Sequence, residues 1–537
     1  MIIKDDIRFR GLLPEGVYPS ETQLKLCDFI AHGIGNATVE ARAGTGKTKT
    51  IEMMVRFIPK NKKVLILAFN KSIRDELAKR LKKDDFSNVD VMTYHSLGYK
   101  LSPILKTVNI DEKKYLKHFN ENAINFVDNW NALPLWVQTN YRRNVLKLID
   151  YCRYNLMQSV KEVNKMINKY DVPVFLNENE TVVKMLKWGS QNTNTFDYTD
   201  LIWLPYECGI TSSYKYKYDF IFIDEAQDSS LAQQNLIEIC KQRNTRFVSI
   251  GDSFQTINSW AGSDTEAFKT FNKKDNVKQF TLNTSFRCCR AIESLVKKYV
   301  DDFNVSENNI EGKILYNVNS NLIKPGDMVL CRLTAPLMKL YLKLIKENVP
   351  CTIKGNPTTD ELFFLLTDKN CPDIVKDIKD CLKQQLINKW ELLAKDFNGD
   401  LRAVVGDYDI LSIYDELIAL EAISDDNMSK NEVLSILNKM YIETKENSVV
   451  TLSTVHKAKG LESDNVYILC PSLMPSKIAD KDWEIESEKN LLYVAYTRAK
   501  KCLGFISESE FPTEKEYTGI NTLYNCLLKL KEDFENK

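Results

Sequence analysis

Apolar residues in this chain gather in short continuous runs and in longer periodic segments. Val64 to Phe69 and Phe220 to Ile223 are continuous, the pattern of strands buried on both faces of a parallel sheet. Ala37 to Glu40 is a shorter β-type run that enters a turn of small residues. An apolar-periodic segment from Ile51 to Phe57 follows and predicts a helix. Helical patterns dominate from roughly 98 to 195. They include a basic-aromatic stretch (Trp136, Tyr141, Arg142, Arg143, Lys147) that reads as a solvated amphipathic helix before it reads as a nucleic-acid contact. Further on, the acidic run Ser424-Asp425-Asp426 ahead of a periodic segment through Met440 predicts a helix start. No internal repeat or low-complexity linker breaks the pattern.

At 537 residues the chain exceeds what one hydrophobic core supports, so several domains are expected. The 44% hydrophobic and 27% charged shares are ordinary for a soluble globular protein. Lys+Arg and Asp+Glu each number 73, so a phosphate-bearing partner has to be met by a local positive field. The 13 cysteines include no Cys-x-x-Cys pair, and only Cys288 and Cys289 are adjacent. That spacing favours reduced thiols in a cytosolic-type compartment over a disulfide framework, a zinc site or an iron–sulfur site. Charges in Met-Ile-Ile-Lys-Asp-Asp occupy the place of a signal peptide's apolar stretch, and no apolar run approaches a membrane span. The expected setting is intracellular, in cytoplasm, nucleoid or nucleus, or in an infected cell for a viral or phage protein.

Residues 36–50 carry the first chemistry: strand, turn, then Ala43-Gly44-Thr45-Gly46-Lys47-Thr48-Lys49 opening a helix. Gly44 and Gly46 let backbone N–H groups converge on phosphate oxygens beside the positive end of the helix dipole. Lys47 would reach the β- and γ-phosphates, and the Thr48 hydroxyl would ligate Mg²⁺. The strict pattern wants glycine six places before Lys47, where this chain has Ala41. Residues 218–228 end the Phe220 to Ile223 run in Asp224 and Glu225, at the strand end where open α/β sheets bind ligands. Asp224 is placed to hold Mg²⁺, and Glu225 to orient and deprotonate the attacking water. Two surface acids capping a strand would be the bland alternative, and the phosphate loop argues against it.

From about residue 18 to 500 the motifs resemble, in order, those of superfamily 1 helicases of the UvrD/Rep type. Tyr18 to Gln23 resembles the Q motif, with Gln23 on the adenine edge, and Ala41 to Thr48 resembles the phosphate loop, its missing first glycine included. Ala68-Phe69-Asn70-Lys71 and Thr93-Tyr94-His95-Ser96 resemble the track motifs Ia and Ib, which implies nucleic-acid contacts by Phe69, Asn70, Thr93 and His95. Asp224 to Asp228 is similar to motif II. Gly251 to Trp260 is similar to motif III, with Gln255 sensing the γ-phosphate and Trp260 stacking on a base. The family continues with Arg-Gly-Ala, where this chain has Ala261-Gly262-Ser263. Leu282 to Arg287 resembles motif IV, with Phe286 on adenine and Arg287 at the γ-phosphate. Thr454 to Glu462 resembles motif V, which puts Thr454 and His456 near DNA and Glu462 on the ribose. Leu492 to Lys500 resembles motif VI, with Arg498 as second arginine finger.

The resemblance implies an α/β fold of two RecA-like P-loop lobes, parallel sheets flanked by helices, each with a mainly helical insertion. The expected division is lobe 1A at 1–97 and 196–281, insertion 1B at 98–195, lobe 2A at 282–356 and 447–537, and a short insertion 2B at 357–446. It implies an ATP- and Mg²⁺-dependent DNA helicase that moves on single-stranded DNA, 3′ to 5′, and opens duplex at single-strand/double-strand junctions. A monomer is expected, with replication or repair proteins as partners and no membrane. Two other functions compete: a single-strand-stimulated translocase that strips proteins and unwinds little, and a non-catalytic scaffold with a decayed ATP site. The intact set Lys47, Asp224, Glu225, Gln255, Arg287 and Arg498 argues against the scaffold. The tail from Phe511 to Lys537 is too short for a nuclease domain.

Overall fold

Val64–Ala68 is buried at every position, and Phe220 to Ile223 likewise, because each strand has helices on both faces and no side that meets water. The computed structural model describes residues 19–535 except 84–85, 103–108, 134, 171, 173, 193, 212–213, 258–275, 355–361, 364, 368–370, 395–400, 405–407, 441–447, 477–481, 508 and 510–519. The chain forms two compact units, residues 1–283 and 284–537.

The first unit holds a six-stranded sheet of β1 (Asn36–Ala41), β2 (Val64–Ala68), β3 (Val89–Thr93), β4 (Tyr218–Ile223), β5 (Lys241–Gly251) and β6 (Val277–Leu282). Its order is β3-β2-β4-β5-β1-β6, and every pairing is parallel. The registers Glu40↔Gly251 and Ile223↔Ser249 bring the C-terminal ends of β1, β4 and β5 side by side. Helices α1 (Glu21–His32), α2 (Lys47–Val55) and α3 (Lys71–Lys83) cover one core. On the other, α4 (Tyr94–Leu101) packs with later helices of this unit. The helix expected from Ile51 to Phe57 starts earlier, at Lys47, because Gly46 takes the left-handed conformation that turns the chain into it.

Between α4 and β4 lie α5 (Lys114–Phe126), α6 (Leu135–Asn155), α7 (Val160–Tyr170), α8 (Glu178–Gln191) and α9 (Asp200–Glu207). These helices share their own core around Phe119, Tyr141, Cys152 and Trp203. Tyr141 of the basic-aromatic stretch is fully buried there, and the Trp136 side chain is outside the described residues. Asn109–Ile110 pairs with Thr195–Phe196 where the helical stretch leaves and rejoins the sheet domain. A buried ion network locks the same place: Arg153 donates to Asp197 and Asp200, and Lys114 and Tyr115 donate to Asp200. Among the described residues the last α-helix of this unit is α10 (Leu231–Cys240).

The second unit repeats the plan. Strands β7 (Lys313–Val318), β8 (Met328–Cys331), β9 (Cys351–Lys354), β10 (Val450–Thr454), β11 (Ser463–Ile468) and β12 (Ala499–Ile506) form a parallel sheet ordered β7-β12-β11-β8-β10-β9. Helices α11 (Thr334–Lys346) and α15 (Asp482–Tyr496) accompany it, and α12 (Val375–Ala394), α13 (Tyr408–Ile423) and α14 (Lys430–Met440) fill the interval between β9 and β10. The helix expected to start at Ser424 starts six residues later, at Lys430. Ser429 accepts the Glu432 N–H, and the Glu432 carboxylate accepts the Ser429 N–H, a capping box that fixes the helix start there. The acidic run is instead the turn after α13, where Asp426 takes the Lys379 ammonium. The last helix, α16 (Ile520–Glu535), follows the sheet in sequence yet packs on α12: Tyr524 meets Trp390 edge-on, and Lys531 pairs with Glu391.

Candidate functional site

The loop between β1 and α2 has two glycines in left-handed conformation, Gly44 (φ 74°) and Gly46 (φ 80°), which a residue with a Cβ would hold only under strain. No side chain caps the N-terminus of α2, so its first N–H groups and the dipole face the loop's hollow, an anion-binding arrangement. Ala41, at the place of the missing glycine, is a buried strand residue in the core and has no need of glycine's freedom. Ala43 and Thr45 are buried in the loop itself, with the Thr45 hydroxyl donating to the Arg42 carbonyl. Lys49, expected at the nucleotide, has its ammonium on the Glu52 carboxylate. The Gln23 amide is engaged too. Its oxygen accepts the Ser20 N–H, and its nitrogen donates to Thr50 Oγ1 at 2.9 Å and to the Thr45 carbonyl, so α1 is fastened to the loop.

Across the loop, Lys47 Nζ donates to Glu225 Oε2 at 2.6 Å. Burial opposes the Lys47 charge, but Glu225, Asp252 and Asp224 outweigh it and raise its pKa. Asp224 is pushed up to about 7, first by burial and then by the charge of Glu225. Glu225 holds φ 51°, a strained backbone that turns its carboxylate toward Lys47. Sequence reasoning passed over Gln227 inside the same motif. Its amide donates to Glu225 Oε2 at 2.7 Å and accepts the Asp252 N–H at 3.0 Å, which ties the acids of β4 to the segment after β5. Gln255 is buried in that segment and donates to Asp252 Oδ2 at 2.6 Å.

Among the described residues no three His, Cys, Asp or Glu side chains gather as a self-sufficient metal site. A buried carboxylate this reluctant to ionise, beside a second acid, is one whose charge a divalent cation would restore. Mg²⁺ takes one or two protein groups and completes its shell with water and substrate phosphates. Asp224 therefore fits a metal that arrives with a nucleotide, with the Thr48 hydroxyl as the second ligand expected from the sequence.

The expected track residues lie at the ends of β2 and β3. Phe69, one residue past β2, is 41% exposed. The Asn70 side-chain oxygen accepts the Ile73 N–H and caps α3, and the Thr93 hydroxyl accepts the Ser96 N–H and caps α4. Tyr94 is buried, its hydroxyl on Ser229. The His95 ring, its pKa lowered by burial, meets Tyr198 edge-on at 6.0 Å. Tyr198, to which the sequence reading gave no role, is itself 48% exposed. Trp260 and Ala261-Gly262-Ser263 lie outside the described residues.

In the second unit, Phe286 is 46% exposed. Arg287 Nε lies 2.5 Å from Glu462 Oε2, and Lys500 lies 2.7 Å from the other Glu462 oxygen. Burial opposes the Glu462 charge, but Arg287 and Lys500 prevail and lower its pKa. Arg498 is buried and donates to the carbonyls of Val494 and Leu461. Thr454 ends β10 and accepts the Ala458 N–H through its carbonyl. His456 is pushed down to about 3 by burial, then by Arg332 and Lys457, so its ring is neutral.

The family model described as the UvrD/REP helicase N-terminal domain matches residues 25–276, and the UvrD-like helicase C-terminal domain matches residues 449–506. The chain is similar to F-box DNA helicase protein 1 of Schizosaccharomyces pombe, 25% identical, over 93% of this chain and 58% of that protein. It thus spans little more than half of that relative's length. A probable DNA helicase II homolog of Mycoplasma capricolum is 23% identical over 86% of this chain and 80% of its own. The ATP-dependent DNA helicase Rep of Buchnera aphidicola is 23% identical over 88% of this chain and 91% of its own. Both domains are matched in chain order on two parallel sheets, the first around the phosphate loop and its acids, and the protein belongs to the UvrD/Rep family of DNA helicases.

Proposed function

We propose that the protein hydrolyses ATP to move along single-stranded DNA, 3′ to 5′, and to open duplex at single-strand/double-strand junctions. The observation that carries this reading is the Lys47–Glu225 pair, set between the left-handed glycines and linked through Gln227 to Asp252 and Gln255. Phosphoryl transfer asks for positioning and charge stabilisation more than covalent chemistry. Lys47 leaves Glu225 for the β- and γ-phosphates, and the freed carboxylate then orients and deprotonates water, the role of a general base. Thr48 and Asp224 would hold Mg²⁺, which would supply neutralisation of the charge that builds up on the phosphates. Gln255 reads the γ-phosphate. Gln23 reads the adenine edge by exchanging its bonds to Thr50 and Thr45.

In the second unit, Phe286 supplies a face for adenine and Glu462 a ribose contact. Arg287 and Arg498 supply the fingers, worth on the order of 10³–10⁵ in rate. A nucleotide shifts the protein between states only by its different affinity for each, and these residues provide that difference. We assign single-strand contacts to Phe69, Asn70, Thr93, His95 and Trp260 in the first unit, with Tyr198 added beside His95, and to Thr454 and His456 in the second. We assign lobe 1A to 1–97 and 196–281, insertion 1B to 98–195, lobe 2A to 282–356 and 447–537, and insertion 2B to 357–446. The protein acts as a monomer, with replication or repair proteins as partners.

The test is the ATPase rate with and without single-stranded DNA, then unwinding of 3′- and 5′-tailed duplexes. Strong stimulation with opening of the 3′-tailed substrate alone is expected. Stimulation without unwinding would make the protein a translocase, and no stimulation would overturn the DNA-driven motor.

A further inference from the structure

Arg42 is the one bulky residue in the run from Ala41 to Gly46, and nothing in phosphate binding asks for it. Its backbone forms the first turn of the loop, accepting from the Thr45 N–H and hydroxyl, while its own N–H donates to Leu282. The side chain is 8% exposed and reaches sideways to the segment after β5. Nη1 lies 2.5 Å from Glu40 Oε1 and 3.5 Å from Asp252 Oδ1, and the guanidinium carbon stands 4.6 Å from the Phe254 ring centroid. Glu40 in turn accepts the Ser253 N–H and hydroxyl. Asp252 is fully buried and accepts the Gln255 amide, so the charge that orients Gln255 faces Arg42 on one side. Lys47 is its other cationic neighbour, and in the function proposed above Lys47 is the residue that leaves for the phosphates when nucleotide binds.

We propose that Arg42 is a positioning residue that binds the segment Asp252–Thr256 to the phosphate loop through Asp252, Glu40 and Phe254, keeping Gln255 aimed while Lys47 changes partner. It rests on the ATPase reading given above. A planar guanidinium can stack on Phe254 and reach two carboxylates at once, and a lysine at this place can do only part of that.

The experiment compares Arg42→Gln, Arg42→Lys, Phe254→Leu and the Arg42→Gln/Phe254→Leu double variant in the full chain, with thermal melting of each. In Arg42→Gln the kcat with single-stranded DNA should fall about ten- to a hundredfold, the scale of a small misplacement of a catalytic group. The KM for ATP should stay within about twofold, because Lys47 and the glycines are untouched. Arg42→Lys should recover part of the loss. Phe254→Leu should show a smaller loss of the same kind, and the double variant should be no worse than Arg42→Gln, since both residues serve one contact. Parental kcat in Arg42→Gln, a loss through KM alone, additive losses in the double variant, or rates that merely follow a lowered melting point would each overturn the proposal. The parent and Lys47→Ala separate this from the underlying reading. If the parent lacks DNA-stimulated hydrolysis or Lys47→Ala keeps it, the ATPase assignment falls; if both behave and Arg42→Gln is silent, only the role of Arg42 falls.

Discussion

Replacing Glu225 with glutamine keeps the shape of the side chain and removes one negative charge from a crowded site. Lys47 and Glu225 are 2.6 Å apart, with side chains 12% and 16% exposed. At an effective dielectric of 20 such a pair carries about 6 kcal/mol of Coulomb energy. The cost of stripping water from both groups cancels most of it, leaving about 1–2 kcal/mol. A nucleotide that draws Lys47 onto its phosphates has to break this pair. Removing the pair in advance should therefore tighten ATP binding about 5- to 30-fold. Lys47 still has Asp224 and Asp252 nearby, so the variant is not left with an orphaned buried charge and should fold. In the proposed mechanism the same change deletes the general base, for which a loss of about 10²–10⁴ in turnover is the usual scale. Titration with a fluorescent ATP analogue reads the first effect and single-turnover hydrolysis the second. Unchanged affinity would mean that Lys47 does not release Glu225 on binding. A loss of turnover below about tenfold would mean that another group is the base.

Three further outcomes follow from the geometry. Arg153→Met strips a buried cation from Asp150, Asp197 and Asp200, and should cost about 3–5 kcal/mol in urea denaturation of the first unit; a loss under about 1 kcal/mol would show that Lys114 and Tyr115 suffice. Phe69→Ala and Tyr198→Ala should each weaken single-stranded DNA binding by about 1–3 kcal/mol and leave ATP affinity alone, measured by fluorescence anisotropy; equal loss of ATP affinity would return them to a packing role. His456 has a folded pKa of about 3, so below the ordinary histidine value the unfolded chain takes up a proton that the folded chain refuses. Its contribution to stability is present above about pH 6.5 and is lost as pH falls toward the folded value. His456→Gln should therefore lose about 2 kcal/mol less than the parent between pH 7 and pH 5. An identical pH dependence of unfolding would refute the buried neutral ring.

Much of the fold could be read from runs such as Val64 to Phe69, because a strand covered on both faces leaves no polar alternative along its length. The end of that run was less legible, and for a physical reason. Phe69 is apolar like the strand, yet the strand stops at Ala68 and leaves it exposed, so hydrophobicity alone does not separate a buried residue from a surface one. The misplaced helix start at Ser424 is of another kind. An acidic run before a periodic segment is a permissive signal, whereas Ser429 with Glu432 three residues on names a specific exchange of hydrogen bonds, and the chain obeys the specific one.

The candidate site divides along the same line. The two glycines of the loop were legible because its backbone leaves few choices: positive φ asks for Gly44 and Gly46, where the chain turns into the uncapped N-terminus of α2. Partners were not legible, because they are set by strand order and not by distance along the chain. Residues 40–42, 225–227 and 252–255 are remote in sequence, yet β4, β5 and β1 are consecutive in the sheet, so the three chain segments leaving their C-terminal ends share one crevice. Gln227 can then join Glu225 to Asp252, and Arg42 can join the loop to the same aspartate. Each link runs between neighbouring strands of a rigid parallel sheet. That makes the coupling between nucleotide loop and Gln255 a property of the sheet's order, and it locates the place where substitution should separate binding from turnover.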